Sequence, residues 1–227
     1  MLTRDLQRAI MNWTVQHSGH EQHRPYIGLS EIGDCDRVIF DRFLNGGCMN
    51  IGEHLRTRIS YELEDAIKIR LQKMSLHFRE AVEISLYDGL VRGHPDGMIG
   101  DNDLIEIKTL AMESHLPAGV HISNRIWYQV QACLHYTHCD WCHIIYLARE
   151  NGAMRCVGIH YKPSVGEHIE AKVARLVTAV QECQRPACLC GKCEGGTGDG
   201  GRMTEGERVR SGGVGVGSGE TLEAVRR

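Results

Sequence analysis

Asp96, Glu106 and Lys108 are the residues whose types and spacing could do chemistry together. Leu104 to Lys108 alternates apolar and charged residues, which predicts a strand. Its two-residue period places Leu104, Glu106 and Lys108 on one face and Ile105 and Ile107 on the other. Gly100-Asp101-Asn102-Asp103 has the composition of a turn. It would fold this strand back onto a preceding one, Leu90 to Ile99, and bring Asp96 close to Glu106. Two carboxylates and one ammonium would then converge at one end of a sheet. Carboxylate oxygens hold a hard divalent cation such as Mg²⁺ or Mn²⁺. Such an ion polarises a phosphate and acidifies a bound water, and a neighbouring lysine can orient that water. The chemistry implied is phosphodiester hydrolysis. A bare Glu-x-Lys is more often an ordinary surface ion pair. Pro95-Asp96-Gly97 ten residues upstream is what lifts it above that reading.

Helices must flank this hairpin. Apolar spacing predicts one over residues 2–17 and another from Ser30, as N-cap, to about Leu44. Asn45-Gly46-Gly47 ends the second. A long helix follows over about Ile51 to Met74, with Leu55, Ile59, Leu63, Ala66, Ile67 and Leu71 along one stripe. Ala81 to Tyr87 alternates as a strand, and Asp88-Gly89 turns it into Leu90 to Ile99. Thr109 to Asn124 is an irregular connector. Ile126 to Tyr136 is helical, and Trp141 to Leu147 and Met154 to Tyr161 are strands joined by a turn at Arg149-Glu150-Asn151-Gly152. Ser164 to about Cys183 closes as an amphipathic helix. The fold class is therefore α/β.

The 227 residues suffice for one domain with appendages, and a hydrophobic content of 42% excludes a mainly disordered chain. A formal net charge of −3 gives no global attraction to nucleic acid, so any such surface is local. No apolar run is long enough for a membrane helix, and the N-terminus lacks the pattern of a signal peptide. A cytoplasmic protein without a membrane partner is expected. There ten cysteines are poor candidates for structural disulfides. Cys183, Cys188, Cys190 and Cys193 crowd into one short segment, the second strong signal in the chain. From Glu194 onward, Gly-rich composition predicts a disordered tail. The organisation is an N-terminal helix and linker (1–27), a core domain with cysteines at its end (28–193), and the tail (194–227).

This order of elements resembles the PD-(D/E)XK nuclease core, the restriction-endonuclease-like fold with a mixed central sheet flanked by helices. Pro95-Asp96-Gly97, Glu106-Ile107-Lys108 and Tyr128-Gln129-Val130-Gln131 are similar to the motif series of its RecB-type and phage exonuclease branch, over roughly residues 28 to 193. The resemblance implies a metal-dependent DNA exonuclease acting on single strands or ends in recombination, repair or phage replication, with partner proteins of those processes. An endonuclease of the same fold, or a non-catalytic nucleic-acid-binding protein with a structural metal, are the alternatives. Asp96 and Glu106 would hold Mg²⁺ or Mn²⁺, with Glu64 of the long helix as third ligand and Glu62 or His54 as its rivals. Lys108 would position the water. Gln129 would support the site, with Gln131 as alternative, since Cys133 stands where many relatives carry tyrosine. Arg37, Arg92 and Arg125 are candidates for phosphate contact.

Iron–sulfur members of that branch, including CRISPR-associated RecB-type nucleases, join one early cysteine to three after the core. Ser30…Cys35-Asp36-Arg37 and Cys183-Gln-Arg-Pro-Ala-Cys188-Leu-Cys190-Gly-Lys-Cys193 look like these two parts. The resemblance implies a [4Fe–4S] cluster on Cys35, Cys188, Cys190 and Cys193, with Cys183 as rival to Cys188. Thiolates equally suit zinc. Such a site would staple the two ends of the domain together.

Overall fold

The computed structural model describes residues 24–46, 51–74, 76–115, 122–188 and 190. The helix expected over 2–17, Cys193 and the Gly-rich tail lie outside them. The described helices are α1 (Asp36–Asn45), α2 (Ile51–Lys73), α3 (Asn124–Thr137) and α4 (Pro163–Gln181). The strands are β1 (Ile27–Gly28), β2 (Phe78–Arg79), β3 (Ile84–Leu86), β4 (Val91–Gly93), β5 (Gly97–Ile99), β6 (Asp103–Leu110), β7 (Trp141–Ala148) and β8 (Met154–His160). They form a five-stranded mixed sheet, β2-β5-β6-β7-β8, and a smaller sheet, β1-β4-β3.

The alternation in β6 organises the layers. Leu104 joins Cys142, Ile144 and Tyr146 of β7 on one face of the large sheet. There they pack with Val130 and Leu134 of α3 and Ile169, Val173 and Leu176 of α4. Ile105 and Ile107 join Ile145 and Leu147 on the other face, beneath Ile67 and Leu71 of α2. Each such buried side chain contributes about 1.5–3 kcal/mol. β6 and β7 run parallel, with Glu106 opposite Ile144 and Lys108 opposite Tyr146. A one-residue slip of β6 would drive Glu106 under α2 and turn Ile107 out of it, so burial of the isoleucines also fixes which way Glu106 faces. Ser60 Oγ accepts a hydrogen bond of 2.7 Å from Thr109 Oγ1, tying α2 to the end of β6.

Several expectations are corrected. Ser30 does not cap a helix: it lies in a 3-10 turn, Leu29–Glu31, and α1 starts six residues later behind Cys35. The intervening segment lies against the start of α3, where a Cβ on Gly33 would come within 2.8 Å of Arg125 Cα. Leu90 to Ile99 is not one strand. Its halves, β4 and β5, belong to different sheets, and the break falls at His94-Pro95-Asp96. Pro95 has no N–H to give a ladder, which suits it to that break. The strand expected over Ala81 to Tyr87 shrinks to Ile84–Leu86. β1 and β2, at two residues each, are too short for any periodicity to reveal.

Candidate active site

The strand break sets Asp96. β5 begins at Gly97, opposite Ile105, so the N–H of Ile107 lies beyond the reach of that strand. The Asp96 carboxylate takes its place: Oδ2 accepts from Ile107 N at 2.7 Å. Gly97 is required next to it, because the ring of Phe78 on β2 occupies the space a Cβ would need. The other Asp96 oxygen, Oδ1, lies 3.2 Å from Lys68 Nζ.

Glu106 projects from β6 toward α3 and is 4% exposed. Its Oε1 lies 2.5 Å from Lys108 Nζ and accepts from Gln129 Nε2 at 2.6 Å. α3 is started by Ser123, whose side chain accepts from Ile126 N. Gln129 therefore reaches Glu106 from a helix with a defined start. Gln131, two residues on, does not reach the site. It is fully buried, donates to His160 O at 2.9 Å and accepts from Lys162 N at 2.8 Å. Its role is to fasten α3 to the end of β8.

Glu64, Asp96, Glu106, Lys108 and Gln129 line one cleft of about 640 Å³. Burial pushes Glu64 up to about 7, and the neighbouring Asp96 charge adds to the effect. Burial also raises Glu106, with Asp96 again adding and Lys108 opposing. Burial alone would lower Lys108, but Glu106, Asp96 and Glu64 together outweigh it and hold the ammonium above its ordinary range. The cleft thus gathers carboxylates where they are poorly solvated, among lysines and arginines that line it with them. Carboxylate oxygens are the donor type a hard divalent cation takes, but Glu64, Asp96 and Glu106 do not bring three oxygens within 4.8 Å of one another, so a shared ion would have to draw them together. Two of these carboxylates are engaged in lysine ion pairs, Asp96 with Lys68 and Glu106 with Lys108.

Glu62 points elsewhere. It is 69% exposed and pairs with Arg58 at 3.6 Å. The side chain of His54 lies outside what the structure describes. Cys133, in the position of the missing tyrosine, lines the cleft as a buried thiol, and burial raises it far above the thiol range, so it stays protonated. Of the three arginines singled out, only Arg92 lines the cleft, stacked on Tyr26 at 5.2 Å. Arg37 donates to Pro186 O, and Arg125 donates to Ser30 O. Sequence reasoning missed Arg24, Arg58, Tyr61 and Lys68, which all line the cleft. For Lys68 a signal existed, since it follows Glu64 by one helical turn.

The early and late cysteines also meet. Cys35 Sγ lies 4.0 Å from Cys188 Sγ, and Cys188 Sγ lies 3.3 Å from Cys190 Sγ. Among the described residues these thiols are the one group bringing three ligand atoms within 4.8 Å of one another. Cys183 is exposed and outside the group. Arg185 pairs with Asp41 of α1 and so holds the returning segment near Cys35.

The mixed sheet, the carboxylate-bearing β5–β6 hairpin and the flanking helices make this the restriction-endonuclease-like fold in the form taken by phage-type exonucleases. An alkaline exonuclease from Laribacter hongkongensis is similar at a TM-score of 0.54 and 18% identity, over 70% of this chain and 89% of that one. The same enzyme in complex with dAMP gives a TM-score of 0.53 at 17% identity, over 71% and 91%. A phage-related exonuclease from Haemophilus somnus gives 0.52 at 11% identity, over 70% and 94%. At these identities the likeness is one of fold. No family model and no curated protein matches the sequence.

Proposed function

We propose that this chain is a metal-dependent deoxyribonuclease of the RecB and phage exonuclease type, hydrolysing phosphodiester bonds of single strands or DNA ends. The observation that carries this reading is that Glu64 of α2, Asp96 of the β4–β5 break, Glu106 and Lys108 of β6 and Gln129 of α3 line one cleft. Glu64, Asp96 and Glu106 would hold Mg²⁺ or Mn²⁺, which when bound supplies positive charge to the phosphate and acidifies water. The chain's own groups do the rest. Ile107 N–H fixes the Asp96 carboxylate, and Gln129 fixes that of Glu106. Lys108, charged and beside Glu106, orients the attacking water and offsets charge developing on the phosphate. Arg24, Arg58 and Arg92 supply local positive charge for the backbone of a strand, which the overall charge of −3 does not.

The thiols of Cys35, Cys188 and Cys190, with Cys193 as fourth, suit a [4Fe–4S] cluster and equally zinc. Recombination, repair or phage replication is the setting, in the cytoplasm, with protein partners of those processes. The test is degradation of labelled single- and double-stranded DNA with Mg²⁺ or Mn²⁺, comparing wild type with Lys108→Ala and Asp96→Ala. Loss of cutting in both variants supports the reading. Equal cutting by the variants refutes the site, and a wild type that binds DNA without cutting identifies a non-catalytic binding protein.

A further inference from the structure

Lys68 has no part in the proposed hydrolysis. It lies on α2 one turn beyond Glu64, lines the same cleft, and brings its Nζ within 3.2 Å of Asp96 Oδ1. Asp96 is thereby used on both oxygens, since Oδ2 is held by Ile107 N. Lys108 is committed to a second carboxylate, Glu106. The two lysines thus each hold one of the three carboxylates. The pair is shielded, with Lys68 24% and Asp96 14% exposed, so solvent weakens it less than a surface bridge. Burial opposes the charged form of Lys68, yet Asp96, Glu64 and Asp65 hold its ammonium above the ordinary range.

We infer that Lys68 is the resident counter-cation of the carboxylate site, a positioning residue that competes with the divalent ion for Asp96 Oδ1. The inference rests on the reading of Glu64, Asp96 and Glu106 as metal ligands. Two cations cannot share one carboxylate oxygen at contact distance without strong repulsion. Binding of the divalent ion therefore requires the Lys68 ammonium to leave Oδ1, and its departure lowers the net affinity. The lysine offsets the Asp96 charge in the metal-free protein while raising the concentration of metal the site needs.

The experiment is a titration of the full chain with Mn²⁺, with free Mn²⁺ read by electron paramagnetic resonance and no DNA present. Wild type is compared with Lys68→Met, Lys68→Gln, Lys68→Arg and Asp96→Ala. Lys68→Met and Lys68→Gln are expected to bind Mn²⁺ about 5–20-fold more tightly, and Lys68→Arg within about threefold of wild type. Two neutral variants keep the result readable if one of them folds poorly. If both bind Mn²⁺ as weakly as wild type or more weakly, while Asp96→Ala abolishes binding, Lys68 merely braces Asp96 and the inference falls with the metal site intact. If Asp96→Ala binds as wild type does, the metal site itself is misplaced and the underlying reading falls with it.

Discussion

Replacing Glu64 by glutamine should stabilise the metal-free protein, although it deletes a residue assigned to the site. Glu64 is pushed up to about 7 from an ordinary 4.5 by burial and by Asp96. Below pH 4.5 the carboxyl is protonated in folded and unfolded chains alike, and its ionisation contributes nothing. Between 4.5 and 7 only the unfolded chain ionises, so stability falls as pH rises. Above 7 both states are ionised and the full cost remains. At 1.36 kcal/mol per pKa unit the gap from 4.5 to about 7 sets an upper bound of ~3 kcal/mol. Glu64 is only half-buried, and solvent screening reduces the figure to about 1–2 kcal/mol. The assay is urea unfolding of wild type and Glu64→Gln in EDTA at pH 4.5, 6 and 8. The variant should match wild type at pH 4.5 and exceed it by about 1–2 kcal/mol at pH 8. With millimolar Mn²⁺ at pH 8 the order should reverse, because the ion stabilises only the state that binds it. A stability difference that does not change with pH would refute the desolvated-carboxylate argument. A gap left unmoved by Mn²⁺ would remove Glu64 from the ligand set.

Lys108→Ala should lower the rate of DNA cleavage by at least about 100-fold, measured by single-turnover degradation. Gln131→Ala should cost about 1–3 kcal/mol, because it removes a fully buried side chain together with its bonds to His160 O and Lys162 N, and should leave metal binding unchanged in a Mn²⁺ titration. Gly97→Val should destabilise the fold by about 1–3 kcal/mol or more by displacing Phe78, with loss of cleavage as Asp96 shifts. Cys35→Ala should abolish the metal or visible absorbance carried by the cysteine site, read by elemental analysis and spectroscopy of the purified protein. Absorbance near about 400 nm would mark iron–sulfur, whereas stoichiometric zinc in a colourless protein would mark the other occupant.

The site was legible where chemistry and periodicity agreed. Glu106 and Lys108 share a strand, so a two-residue period sufficed to put them on one face. Asp96 was placed beside them by a turn with a recognisable composition. Gln129 and Gln131 could not be separated without knowing how α3 is rotated, and burial of Val130 and Leu134 settles that rotation. Lys68 was overlooked for a different reason. A lysine four residues after a glutamate ordinarily marks a solvated helix face, and only the packing of Ile67 and Leu71 on β6 and β7 turns it inward. The break at Pro95 was hidden because Leu90 to Ile99 is apolar on both sides of it. Short strands such as β1 and β2 owe their existence to neighbours in the sheet, which no local pattern encodes.

The separation of Cys35 from Cys188 along the chain, 153 residues, has a consequence for biosynthesis. At about 5–20 residues per second, a ribosome delivers the later cysteine about 8–30 s after the first. Nearly every strand and helix of the domain emerges in that interval. The thiol site is therefore assembled last, on a core able to collapse before it, and a metal taken up there would enter a largely formed protein. Cells starved of that metal during expression should accumulate chain whose sheet is built and whose two ends remain unjoined. Late delivery of the metal should then complete the same molecules without new synthesis.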